Sequence, residues 1–353
     1  MDYDTEIKDL LETVIREGAS DLHISEKRHP TIRVSGNLIP LVKKPELSTE
    51  ATRGILRRLV KPELEDIFEK NKEIDFSYEF EDKARFRGNA FFQQGHISIA
   101  LRLIPKVIKS IEELKLPAIL NDFAKRKQGF FLVVGPVGQG KTTTLASMIE
   151  MINQERAEHI VTIEDPIEYA YDQKKSIIDQ REVRIDTKDF HSALISTLRE
   201  DMNVIMVGEM RDPETMSAAV TAAETGHLVF STLHTNNAAQ TIDRIIDSFP
   251  PGQQEQIRIQ LAGSLIGVFS QRLIPRISGG RIPAYELMIA NDAVANLIRE
   301  KRVHEINTVI ETSSEQGMVD MNRCLADLVR AGEITIENAY KFAFKPKSLE
   351  KML

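Results

Sequence analysis

Ile7, Leu10, Leu11, Val14 and Ile15 recur at the three- and four-residue spacing of one helix face, and Gly18 stands where that helix would stop. The pattern then changes period. TIRVSGNLIPLV reads as two short strands around Ser35-Gly36-Asn37, residues 51–69 return to helical spacing, and EIDFSYEF (73–80) alternates as a half-buried strand does. ARFRGNAFFQQGHISIALRLI adds two strands around Gln94-Gly95. Residues 1–103 are therefore expected to form a mixed α+β domain. PKVIKSIEELKLP carries prolines and charge without a strand pattern, so 104–117 is expected to be a linker with a short helix. From 118 to 353 short β-branched runs alternate with helices. FFLVVG, HIVTI, NVIMVG and HLVFSTL read as strands buried on both faces of a largely parallel sheet, and 141–153 reads as a helix with Leu145, Met148, Ile149 and Ile152 on one side. Beyond 252 the pattern predicts helices alone, at 253–272, 291–301, 303–311, 319–331 and 335–343. The expected class is α/β.

One segment changes this from a fold to a chemistry. Gly135-Pro-Val-Gly-Gln-Gly-Lys141-Thr142 matches G-x-x-x-x-G-K-[ST] and falls between a predicted strand and a predicted helix. Glycines let the backbone wrap a phosphate, so amide N–H groups and a helix N-terminus face the anion. Gly135, Pro136, Val137, Gly138, Gln139, Gly140, Lys141, Thr142 and Thr143 are the expected nucleotide-binding residues. Lys141 would reach the β- and γ-phosphates and Thr142 would bind Mg²⁺. A guanine-specifying N-K-x-D is absent, which favours ATP.

Carboxylates follow two of the strands, where an open α/β sheet places its site. Glu209, after NVIMVG, is the expected general base, with Gly208 where an aspartate more often stands. Glu164, after HIVTI, is the expected metal-shell or water-positioning group, and Glu209 a second candidate for the metal shell. Asp165 and Glu168 follow it and read equally well as solvated loop acids. His227 and His234 bracket LVFSTL. Seven positions is an odd step along a strand, so they would not share a face, although each end could serve a site.

Composition trims the possibilities. Among 353 residues, 46 are Lys or Arg and 53 are Asp or Glu, a formal charge of −7, which argues against a surface made for nucleic acid. A single cysteine, Cys324, excludes an intrachain disulfide or a multi-cysteine zinc site. The acidic start MDYDTEIKDLL lacks the features of a signal peptide, and no apolar run nears the roughly 20 residues that span a bilayer. A soluble, cytoplasmic protein is the expectation.

Taken together, the phosphate loop, VTIEDPIEY, NVIMVGEMRD and GHLVFSTLHTN resemble the secretion/pilus ATPase superfamily, whose Walker A, Asp box, atypical Walker B and His box occur in this order. GASDLHIS looks like the start of that family's PAS-like amino-terminal domain. FPPGQQEQIRIQLAGSLIGVFSQRLIPR and AVANLIRE are similar to the pilus-retraction branch, with Ala295 where an arginine is common and Gly88 where a β-branched residue is usual. The lone cysteine sets the chain apart from zinc-bearing extension and secretion branches. The resemblance implies a RecA-like P-loop core over 118–353 with carboxy-terminal helices, and a homohexamer that hydrolyses ATP with Mg²⁺. It also implies that Arg87 and Arg102, from the amino-terminal domain, close on the γ-phosphate as that domain moves about the linker. The motor would sit in the cytoplasm, peripheral to the inner membrane. It would act on the pilus fibre indirectly, through an inner-membrane platform protein. An extension or secretion ATPase, a nucleic-acid translocase and a nucleotide-dependent scaffold are the alternatives.

Overall fold

The computed structural model describes residues 2–34, 36–104 and 107–353. The chain divides into two units, one holding residues up to Val107 plus Pro166–Ala170, the other Ile108–Asp165 and Tyr171–Leu353.

The first unit begins with helix α1 (Tyr3–Arg16), which buries Ile7, Leu10, Leu11 and Val14 as the spacing requires. Strands β1 (Asp21–Ser25), β2 (Thr31–Val34) and β3 (Asn37–Pro40) follow. Residue Ser35 of the expected turn lies outside the described residues. The single helix expected over 51–69 is two, α2 (Thr49–Leu59) and α3 (Pro62–Asn71). Pro62 explains the break: its ring drives Lys61 out of the helical region, and Pro62 then serves as a first helical residue. Strands β4 (Glu73–Phe80), β5 (Ala84–Gln93) and β6 (His96–Ile104) complete an antiparallel sheet ordered β3-β2-β1-β6-β5-β4. On β5 the inward positions are Ala84, Phe86, Gly88 and Ala90. Gly88 pairs in register with Phe76 of β4, and a Cβ there would lie 2.2 Å from the Phe76 ring. The departure at Gly88 is thus the counterpart of a large neighbour.

The stretch expected to be a linker is split. Pro105 and Lys106 lie outside the described residues. From Ile108 the chain belongs to the second unit, where Ile111 and Leu116 are buried in the core. Residues 111–115 form a turn, not a helix.

In the second unit α4 (Leu120–Ala124) precedes β7 (Gly129–Val134), α5 (Lys141–Glu155), β8 (His159–Glu164), β9 (Ile177–Glu182), α6 (Phe190–Thr197), β10 (Val204–Val207), α7 (Pro213–Glu224), β11 (Leu228–Leu233), α8 (Ala238–Asp247) and α9 (Pro251–Ser264). Then the structure departs from the pattern. The second half of the helix expected at 253–272 is strand β12 (Leu265–Pro275), and β13 (Arg281–Ile289) follows it. Nearly every residue of β12 is buried, so its apolar run carries no alternation by which to tell strand from helix. Gly267 marks the tight packing: a Cβ would meet the Phe131 and Phe123 rings at 2.9–3.1 Å. The sheet runs β13-β12-β7-β11-β10-β8-β9, parallel except for β13.

Beyond it, α10 (Asp292–Arg299), α11 (Ile306–Thr312), α12 (Met321–Arg330) and α13 (Ile336–Phe342) match the expected helices closely, and α14 (Pro346–Glu350) is a further short helix that the pattern did not predict. The last three build a small separate core around Ile274, Leu325 and Leu349. Cys324 lies in it, its sulfur accepting the Tyr285 amide N–H at 3.4 Å while burial pushes the thiol up to about 12.

Candidate nucleotide site

Strand β7 is buried along its length and delivers the chain to Gly135 at its carboxyl end. Gly135, Gly138 and Gly140 have φ of 145°, 76° and 80°, values that side chains resist, so the turn into α5 depends on glycine. A Cβ on Gly135 would also stand 2.5 Å from the Gln271 carbonyl oxygen. Lys141 opens α5 and is buried. Its ammonium donates to the Gly135 and Pro136 carbonyls at 2.8 and 3.1 Å and lies 3.2 Å from His234 Nδ1. An ammonium has no lone pair, so Nδ1 accepts and the imidazole proton sits on Nε2. That nitrogen is 3.8 Å from a Glu209 oxygen. Burial first, and the Lys141 charge second, hold the His234 imidazole below its ordinary range, with Glu209 opposing.

Glu209 follows β10 through Gly208, whose N–H bonds the Ile163 carbonyl at 2.8 Å. Ser231 and Thr232 of β11 donate to the Val207 and Gly208 carbonyls at 2.8 and 2.7 Å, which fixes the strand end that carries the acid. The other Glu209 oxygen takes the Arg211 guanidinium at 2.5 Å. Glu164 ends β8, is buried, and accepts the Thr162 hydroxyl at 2.7 Å and the Gln180 amide at 3.3 Å. Asp165 pairs with Arg184 at 3.6 Å. Lys141, His234 and Glu209 thus form one cluster at the carboxyl ends of the parallel strands, the edge where such sheets bind ligands.

His227 is not in it. It sits at the amino end of β11, its Nδ1 2.9 Å from the Ala222 carbonyl. Seven strand positions at about 3.3 Å each put roughly 20 Å between the two histidines. The expectation that each end of this strand could serve one site fails because a parallel sheet presents only one edge to it.

Arg87 and Arg102 stand directly opposite each other on β5 and β6, and Asp21 and Arg33 continue the row on β1 and β2. Facing arginines repel. Asp21 offsets this, accepting Arg102 at 2.9 Å with Arg33 at 3.6 Å. Burial raises the Asp21 carboxyl, but the Ser20 hydroxyl and Arg102 outweigh it and hold it below its usual range. Arg87 also lies 3.7 Å from Glu168. The structure therefore brings the two predicted arginines together within the first unit.

Residues that the pattern did not single out complete the phosphate loop. The Gln271 amide donates to the Gln139 carbonyl at 2.8 Å and accepts the Thr144 hydroxyl at 2.6 Å, while Gln139 accepts the Leu273 N–H at 2.7 Å. A cavity of about 390 Å³ beside Gly140, Thr143 and Thr144 is lined further by Leu273, Arg276 and Pro283. Gln271 lies in the stretch expected to be the helix 253–272, and Leu273, Arg276 and Pro283 lie beyond it in a stretch with no expected element.

A glycine-rich P-loop, a neighbouring strand that carries Glu209 and a lysine poised at the loop mouth define a P-loop ATPase. The chain belongs to the Type II/IV secretion system protein family, whose model matches residues 4–341. The twitching motility protein of Neisseria gonorrhoeae is 47% identical over 91% of this chain and 86% of its own. The type IV pilus retraction ATPase PilT of Pseudomonas aeruginosa is 43% identical over 97% of this chain and 99% of its own. A crystal structure of the pilus retraction motor PilT with bound ADP superposes with a TM-score of 0.92 at 45% identity, covering 98% of this chain and 99% of that one.

Proposed function

We propose that this chain is an ATP-hydrolysing motor that powers type IV pilus retraction by pilus disassembly, working as a homohexamer. The observation that carries the reading is the Lys141–His234–Glu209 cluster, in a chain that matches the retraction ATPases over nearly its full length. Lys141 and the loop amides bind the β- and γ-phosphates, and Glu209 takes the proton of the attacking water. His234 is hydrogen-bonded to Lys141 and faces Glu209 at 3.8 Å, so it stands between the loop and the base. Thr142, Glu164 and Glu209 offer the hard oxygen donors that suit Mg²⁺, an ion that keeps most of its shell for water and phosphate. When bound, Mg²⁺ neutralises charge on the phosphates.

Arg87 and Arg102 are proposed to reach the γ-phosphate when the first unit closes on the site, trading their Asp21 and Glu168 partners for phosphate oxygens. Work done by the ring passes to a platform protein of the inner membrane and through it to the fibre. Among the described residues no helix is long and apolar enough to cross a membrane, so attachment through protein contacts, from the cytoplasm, is the proposed arrangement.

The test is genetic and biochemical. Deletion in the native host should abolish twitching and leave more surface pili, and the purified protein should hydrolyse ATP as a six-fold assembly. Loss of surface pili on deletion would assign the chain to pilus extension instead. ATPase activity strongly stimulated by single-stranded DNA would point to a translocase.

A further inference from the structure

Strand β12 reaches the site from two sides. Successive residues of a strand point to opposite faces, so Gln271 and Arg272 leave it in opposite directions. Gln271 is buried and grips the phosphate loop and the first turns of α5, through Gln139 and Thr144. Arg272, also buried, turns to the loop after β11. Its guanidinium donates to the Asn236 carbonyl at 3.2 Å, to Asn236 Oδ1 at 3.0 Å and to the Gln271 carbonyl at 2.9 Å. The Ser270 hydroxyl adds a bond to the same Asn236 carbonyl at 2.7 Å. Asn236 lies two residues beyond His234. The outer face of Arg272 lies 5.5 Å from the centre of the Phe344 ring, in the carboxy-terminal tail. Behind it, Glu286 of β13 is buried and accepts the Ala238 N–H at the start of α8 at 2.9 Å.

We infer that Gln271 and Arg272 act as a two-sided clamp that positions the machinery of hydrolysis. Gln271 holds the phosphate loop, and Arg272 holds the 234–237 loop in the register that puts His234 between Lys141 and Glu209. Through Phe344 the same guanidinium carries the state of the nucleotide site into the carboxy-terminal helices. Neither residue touches the reacting atoms. A planar fork with several donors suits the task, because it meets three oxygens on two chain segments at once, where a lysine presents a point charge. The inference rests on the nucleotide site proposed above.

Arg272→Lys separates positioning from binding. We expect kcat to fall at least tenfold while the affinity for MgADP stays within threefold. Hydrogen exchange of the full chain supplies the second readout. In the unaltered protein MgADP should slow exchange at 135–143, at 234–240 and at 344–349. In Arg272→Lys the first protection should persist and the other two should be lost. Phe344→Leu should keep the first two and lose the third. Asn236→Ser removes one oxygen of the three and decides the matter if Arg272→Lys does not fold: an intermediate loss of kcat with unchanged MgADP affinity is expected. A kcat within twofold of the unaltered protein in these loop variants overturns the clamp, as does protection at 234–240 that survives Arg272→Lys. Absence of MgADP protection at 135–143 in the unaltered protein overturns the nucleotide-site reading itself, and the clamp with it.

Discussion

At the scale of the residue, the site is a short chain of charges whose order decides the chemistry. Lys141 is buried yet satisfied by two loop carbonyls and an imidazole, which hold it at the loop mouth. Glu209 lies between the Arg211 guanidinium and the neutral His234 imidazole. Replacing it by glutamine keeps the shape and removes the base. Glu209→Gln should bind ATP with near-native affinity and lose roughly 10²- to 10⁴-fold in turnover, the usual contribution of general-base catalysis. Turnover within a few-fold of the unaltered protein would remove Glu209 from that role. His234 sets a further expectation. Its imidazole titrates below the ordinary histidine range, so the contact with Lys141 contributes fully above about pH 6.5. It weakens as pH falls through the depressed value, where a protonated ring faces an ammonium. The acid limb of kcat/KM should shift or disappear in His234→Gln, as pH–rate measurements would show.

Elements tell how far local pattern reaches. The alternation of β4 and β5 and the face of α1 are visible in the sequence because each has one wet side. The glycine loop is visible because its conformations exclude other residues. Strand β12 is hidden: with both faces covered, LIGVFSQRLI has no period to betray it, and a helix ends only one residue before it begins. The clamp of Gln271 and Arg272 was hidden with it, since no motif points to a polar pair inside an apolar run. The row Arg87–Arg102–Asp21 was half visible. Its arginines were named from family resemblance, but their partner depends on a pairing of strands far apart in sequence. The pair Gly88–Phe76 supports a test at this scale. Gly88→Val drives a branched side chain into the ring and should lower stability by about 1–3 kcal/mol, measured by urea unfolding. Adding Phe76→Ala opens the space, so the double variant should be more stable than the sum of its parts predicts.

For the whole molecule, the buried carboxyl of Glu286 gives stability a pH dependence. Burial raises it to about 7, against the pull of the Ala238 N–H and Arg272. A carboxyl whose folded value lies above its unfolded one supports the fold below the unfolded value, near 4.5. It loses that support as pH rises through 7. A shift of this size corresponds to a few kcal/mol, on the order of 3. Glu286→Gln keeps an acceptor for Ala238 and cannot ionise. Its thermal unfolding temperature should therefore exceed that of the unaltered protein at pH 8 by more than at pH 5. An equal difference at both pH values would show that the Glu286 carboxyl is not raised in the folded protein.

The buried sulfur of Cys324 has a further consequence. A thiol that ionises only near pH 12, tucked against a backbone amide, reacts slowly with maleimides and peroxides at neutral pH. With no other cysteine in the chain, the protein is chemically silent toward thiol reagents. A cysteine placed at exposed Val42 or Val107 would then be the one reporter that labels. Fluorophores placed there could test the proposed assembly and its motion without first stripping the native sequence.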